Sequence, residues 1–231
     1  MIRILFQGDS ITDMNCRQLL GRPPFPPVQD PPMPGYGDIL RRNILGTGYP
    51  VIVSGELNLK HPGELLFMNR AMSGARIVDI YANIKADIIN LKPDVLSILL
   101  GVNDVAHEVT MKNGVDAEKF ERVYRQLLAE ITEALPDLRI ILMEPYVLNG
   151  YLTRDHWEEF QAEVRKRAEA VRRIAADRGL VLAETQKEMN RYADQYGSEM
   201  VTMDGIHPTC AGSALLAHAW MEGFEKLTGL K

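Results

Sequence analysis

Two cysteines in 231 residues are too few for a disulfide framework, and Cys16 and Cys210 read as reduced structural thiols of a cytoplasmic protein. No basic run or stripe breaks a chain of net charge −5, which argues against nucleic acid as a partner. No apolar stretch approaches the ~20 residues of a membrane-spanning helix, so no membrane role is expected. Zinc-ligand spacing is missing, and Gly46-Thr47-Gly48 lacks the lysine and further glycines of a phosphate-binding fingerprint. Neither a metal nor a cofactor is therefore expected. The opening residues Met1-Ile2-Arg3-Ile4-Leu5-Phe6 lack the apolar length and cleavage site of a signal peptide, and read as a first strand.

What is present is the composition of an ordinary globular domain, 46% hydrophobic and 25% charged. Short apolar runs alternate with helical patterns, the signature of an α/β fold with a parallel sheet covered on both faces. The strands are expected at Ile2–Gln7, Leu66–Ala71, Val95–Leu100, Arg139–Glu144 and Leu180–Ala183, runs without the clean alternation of a half-exposed sheet. Ile77, Ile80, Tyr81, Ile84, Ile88 and Leu91 share one helical face ahead of Pro93. A second stripe joins Phe120, Val123, Leu127, Ile131 and Leu135, with Asp116 placed to cap it and Pro136 to stop it. A third runs from Trp157 through Phe160, Val164 and Val171 to Ile174 and ends at Gly179.

Residues 21–35 hold seven of the thirteen prolines, which excludes a helix or a central strand there and leaves a loop, either plain surface or a wall of the active-site mouth. Val51-Ile52-Val53 suits a strand by propensity, but Pro50 before it and Leu57 and Leu59 after it also suit a helix with proline in its first turn. No repeat or linker divides the chain, so residues 1–231 read as one domain.

The chemistry-bearing residues sit at the two ends. Gly8-Asp9-Ser10-Ile11-Thr12 follows the first strand and places a serine hydroxyl at the sheet's carboxyl edge. A hydroxyl becomes a nucleophile only when a base takes its proton, and histidine is the usual base. Asp204-Gly205-Ile206-His207-Pro208 puts a carboxylate and an imidazole three residues apart, close enough for a turn to join them. Acyl transfer also needs donors for the oxyanion. Asn103, in Gly101-Val102-Asn103-Asp104, and Gly74, after Ser73, follow two further strands to the same edge. Asp9 and Asp13 flank the serine, where a metal site is imaginable but a bracing role for the turn fits better. Tyr36, Tyr49, Tyr146, Tyr151 and Trp157 are candidates for stacking on a sugar, Tyr146 and Tyr151 foremost because they follow a strand end. Asp9, Tyr146 and Tyr151 are the expected substrate-binding residues.

Four ordered blocks, Gly8-Asp9-Ser10, Gly74, Gly101-x-Asn103-Asp104 and Asp204-x-x-His207, resemble those of the SGNH hydrolases, also called GDSL esterases and lipases. The resemblance spans almost the whole chain. It implies a flavodoxin-like three-layer α/β/α sandwich on a five-stranded parallel sheet. It also implies Ser10 as nucleophile, His207 as base, Asp204 as its partner, and an oxyanion hole of Ser10 N–H, Gly74 N–H and the Asn103 side chain. The second block departs from the common Asn-x-Gly-x-x-Gly by reading Asn69-Arg70-Ala71-Met72-Ser73-Gly74. Leu45-Gly46-Thr47-Gly48-Tyr49 and Ile141-Leu142-Met143-Glu144-Pro145-Tyr146 resemble the bacterial branch that includes intracellular acetylxylan esterases. That branch implies a helix near Val51, acetylated xylan-derived sugars as substrate, and a homo-oligomer in several members. Two other functions stay open at this point: an esterase or lysophospholipase taking longer acyl chains, and a binding protein on a hydrolase fold.

Overall fold

The structure, a computed structural model, describes residues 1–19 and 44–231. Five strands, β1 (Ile2–Gly8), β2 (Leu65–Asn69), β3 (Val95–Leu99), β4 (Arg139–Met143) and β5 (Val181–Ala183), form one parallel sheet in the order β2-β1-β3-β4-β5. This is the expected fold class, and the strand bounds agree with the apolar runs to within two residues. Successive side chains on a strand point to opposite faces, and here both faces are dry. Ile4, Phe6, Val95, Leu99, Ile141 and Met143 enter one core, while Leu5, Leu96, Ile98, Ile140 and Leu142 enter the other.

The first core is closed by α3 (Tyr49–Lys60), through Tyr49, Val53 and Leu57, and by α10 (Cys210–Thr228), through Leu216, Trp220 and Phe224. Phe6 is the hub of this layer, with Trp220 at 5.2 Å and Tyr49 edge-on at 5.6 Å between ring centroids. The second core is closed by α7 (Ala117–Ala134) and by the C-terminal half of α8 (Trp157–Arg178). Asp116 caps α7 by accepting the Lys119 N–H at 2.8 Å, and α8 ends at Gly179, both as expected. The segment around Val51 is helical, with Pro50 in the first turn of α3.

One helix differs from expectation. The stripe from Ile77 to Leu91 is broken into α4 (Ile77–Ala82), α5 (Ile84–Asp87) and a 3-10 turn at Ile89–Leu91. The cause is local. The Asn83 side chain donates to the Asp79 carbonyl at 2.9 Å and competes with the helical ladder. The segment is also rich in β-branched residues, which lose rotamer freedom in a helix. Asp87 is buried in an ion pair with Arg17 at 3.0 Å, which fixes where α5 can end. The apolar stripe survives the breaks: Ile77, Ile80, Ile84 and Ile88 all lie in the second core. The proline-rich segment 21–35 and Tyr36 lie outside the described residues.

Candidate active site

The register places three strand ends at one edge of the sheet, since Phe6 pairs with Asn69 and Gly8 with Leu99. Gly8 must be glycine, because a Cβ there would lie 2.6 Å from the Leu99 carbonyl oxygen. The chain then turns at once into α1 (Ser10–Asp13), whose first residue is Ser10. Backbone N–H groups in the first turn of a helix have no intrahelical partner, so the Ser10 N–H is available to a ligand.

Ser10 and His207, 197 residues apart in sequence, meet with Oγ 2.8 Å from Nε2. His207 Nδ1 lies 2.7 Å from Asp204 Oδ2. The other oxygen, Oδ1, accepts the backbone N–H groups of Ile206 at 2.9 Å and His207 at 2.8 Å. The carboxylate is thus fixed by its own turn. That turn is closed by the Met203 N–H on the His207 carbonyl at 2.8 Å and by the bridge between Thr202 and Pro208.

The electrostatics follow from these contacts. The hydrogen bond to Asp204 holds the His207 imidazole above its ordinary value of 6.5, against a burial that pulls it down. Burial pushes the Asp204 carboxyl up, but the His207 ring and the two backbone N–H groups outweigh it and leave the group below its ordinary range. Asp204 is therefore the charged partner of the imidazole.

Gly74 and Asn103 flank Ala75: the Asn103 amide donates one N–H to the Ala75 carbonyl at 3.3 Å. The amide carries a second N–H that can face a ligand. Asn103 sits in the first turn of α6 (Val102–Met111), and Gly74 takes φ +79°, a left-handed turn that suits glycine. A network that the sequence does not advertise holds this loop. Asp13 accepts the Ser73 hydroxyl at 2.6 Å and the Arg17 N–H at 2.9 Å. The Arg17 guanidinium, almost fully buried, donates to the carbonyls of Ala71 at 2.7 Å and Arg70 at 3.0 Å. From the other side both oxygens of Asp104 accept the Ile77 N–H, at 3.1 and 3.3 Å. Burial pushes the Asp104 carboxyl up to about 7, although the Ile77 N–H opposes the rise.

Two of the expected substrate contacts are corrected by the structure. Tyr146 is fully buried, and its hydroxyl donates to the Ile206 carbonyl at 2.8 Å, so it braces the turn that carries Asp204 and His207. Asp9 is 1% exposed and caps α1, its Oδ1 accepting the Ile11 N–H at 3.0 Å. Burial pushes the Asp9 carboxyl up to about 7 against that N–H and the neighbouring His207, and its Oδ2 has no hydrogen-bond partner. Asp9 and Asp13 thus turn to different partners, as braces of the nucleophile's turn. Tyr49 is core, Trp157 is half-buried against the first core, and Tyr151 is exposed.

The sequence profile of the GDSL-like lipase/acylhydrolase family matches residues 6–215. The chain belongs to this family. An acetylxylan esterase of Geobacillus stearothermophilus is 27% identical over 96% of this chain and 94% of its own length. The crystal structure of an acetylxylan esterase from that organism superposes with a TM-score of 0.75 at 27% identity, covering 96% of this chain and 93% of that one. A protein from Parabacteroides merdae described as GDSL-like lipase superposes with a TM-score of 0.82 at 28% identity, over 100% of this chain and 96% of that one. This GDSL-family protein is a serine esterase on an SGNH hydrolase fold. Among its described residues no helix is long and apolar enough to cross a membrane.

Proposed function

We propose that this esterase removes acetyl groups from acetylated sugars, xylan-derived oligosaccharides foremost, through an acyl-enzyme on Ser10. The hydrogen-bonded chain from Ser10 through His207 to Asp204 carries the mechanistic half of the reading. The 27% identity to an acetylxylan esterase over 96% of the chain supports the substrate half.

In this mechanism His207 Nε2 takes the Ser10 proton as Oγ attacks the acetyl carbonyl carbon. The carbonyl oxygen becomes an oxyanion and is met by the Ser10 N–H, the Gly74 N–H and the Asn103 amide. The imidazolium, stabilised by Asp204, returns the proton to the departing sugar oxygen as the C–O bond breaks. Water then repeats the sequence on the acetyl-enzyme, and acetate leaves. The two cysteines, Cys16 buried and Cys210 exposed, form no disulfide, which accords with a reducing, cytoplasmic setting.

Acetate release from acetylated xylo-oligosaccharides tests the substrate, alongside a p-nitrophenyl ester series from acetate to octanoate. Acetate release, with rates that fall as the acyl chain grows, is the expected result. Rates that rise with chain length and no acetate from any sugar would replace the reading with a long-chain acylhydrolase. Asn103→Ala is expected to lower kcat roughly 10²- to 10³-fold, the loss typical of one oxyanion donor. A change of only a few-fold in steady-state kinetics would remove Asn103 from the oxyanion hole.

A further inference from the structure

The alcohol half of the ester leaves on the His207 side, because the imidazole that took the serine proton gives one to the departing oxygen. On that side the structure holds a feature the triad does not use. The loop at residues 148–154 folds against the turn that bears the acid. Leu148 N–H donates to the Gly205 carbonyl and Leu152 N–H to the Asp204 carbonyl, both at 2.8 Å. Gly150 lets the backbones touch, since a Cβ there would lie 2.4 Å from the Gly205 nitrogen. Loop and turn are locked into one rim.

Between them lies a cavity of about 330 Å³ whose wall includes Asp204, with Asn149, Tyr151, Arg154, Glu199 and Met203 among its other residues. The Tyr151 ring is 69% exposed, and the Arg154 guanidinium covers one side of it, 5.0 Å from the centroid. A flat ring backed by a cation on one face offers the other to a ligand. Tyrosine does this at low entropic cost, having only two side-chain torsions to fix. Around the ring stand planar polar groups that can bond hydroxyls: the Asn149 amide, the Arg154 guanidinium and the Glu199 carboxylate. Arg154 and Glu199 cancel in charge, and Asp204 stays anionic beside the neutral His207 imidazole. The cavity therefore suits an uncharged polyol better than an anion.

We infer that this cavity is a saccharide subsite on the leaving-group side. With an acetylated sugar residue at Ser10, the neighbouring sugar of the chain stacks its C–H face on Tyr151 and shares its hydroxyls with Asn149, Arg154 and Glu199. The inference rests on the acetylated-sugar reading above and deepens it, since it makes the enzyme prefer an oligosaccharide to a single sugar.

The test uses unacetylated xylotetraose, titrated by calorimetry into full-length protein carrying Ser10→Ala, which binds without turnover. Adding Tyr151→Ala or Arg154→Ala to that background is expected to weaken binding about five- to ten-fold, the scale of one aromatic contact. Both positions are exposed, so the fold is kept. In otherwise wild-type enzyme, Tyr151→Ala is expected to lower by the same factor the ratio of kcat/KM on acetylated xylotetraose to that on acetylated xylose. Equal binding with and without Tyr151, or a wild type that treats the two substrates alike, overturns the subsite and leaves the acetylesterase intact. A wild type that cleaves p-nitrophenyl acetate but no acetylated sugar overturns the sugar reading itself, and the subsite falls with it.

Discussion

Ser10→Ala is expected to abolish ester hydrolysis, with kcat down roughly 10⁶-fold on any ester the enzyme cleaves. The argument is one of position. Ser10 Oγ is the atom that faces His207 Nε2, at 2.8 Å, and alanine keeps the α1 turn while removing only that oxygen. Asp9 still caps the turn through the Ile11 N–H, so folding is not at stake. The measurement is initial rate on p-nitrophenyl acetate, with mass spectrometry for a +42 Da acetyl-enzyme at roughly the acyl mass expected of a covalent intermediate. A variant that keeps a tenth of the wild-type rate would mean that the nucleophile lies elsewhere.

Asp204→Asn should cost roughly 10⁴ in kcat, and for a reason visible in the turn. One oxygen of Asp204 accepts two backbone N–H groups. The asparagine carbonyl has to take that place, because an NH₂ there would face two donors. The amide NH₂ is then left opposite His207 Nδ1, where it donates and forces that nitrogen to be the acceptor. The ring proton moves to Nε2 and points at Ser10, so the imidazole cannot take the serine proton. The pH profile supplies a second reading. Wild-type kcat/KM is expected to fall as pH drops through a His207 value above 6.5, since the neutral imidazole is the base and Asp204 favours its charged form. In the variant that support is lost while burial remains, and the inflection should move to lower pH. An unchanged inflection would mean that Asp204 does not set the imidazole's protonation.

The central strands were legible because they are buried on both faces and read as largely apolar runs without clean alternation. The catalytic residues were legible because each block pairs a chemistry-bearing side chain with a strand end or a short turn. Tyr146 was not, because an aromatic after a strand points equally well into a pocket or into the core. Its hydroxyl bond to Ile206 is a contact across 60 residues that no local pattern records. Arg17 was silent for the same reason: its partners at Arg70, Ala71 and Asp87 are 53 to 70 residues away. The stripe from Ile77 to Leu91 carried the right face but the wrong continuity, since Asn83 settles the break through a side-chain bond that periodicity does not weigh.

The 197-residue separation of Ser10 and His207 also sets a clock on biosynthesis. A ribosome adding about 5–20 residues per second exposes the serine roughly 10 to 40 s before the imidazole exists. Through that interval the nascent chain carries an alcohol with no base to sharpen it, inert toward every ester it meets. Its reactivity requires His207 to be made and brought to within a hydrogen bond of Ser10. Catalytic competence thus waits on synthesis of the turn that bears His207.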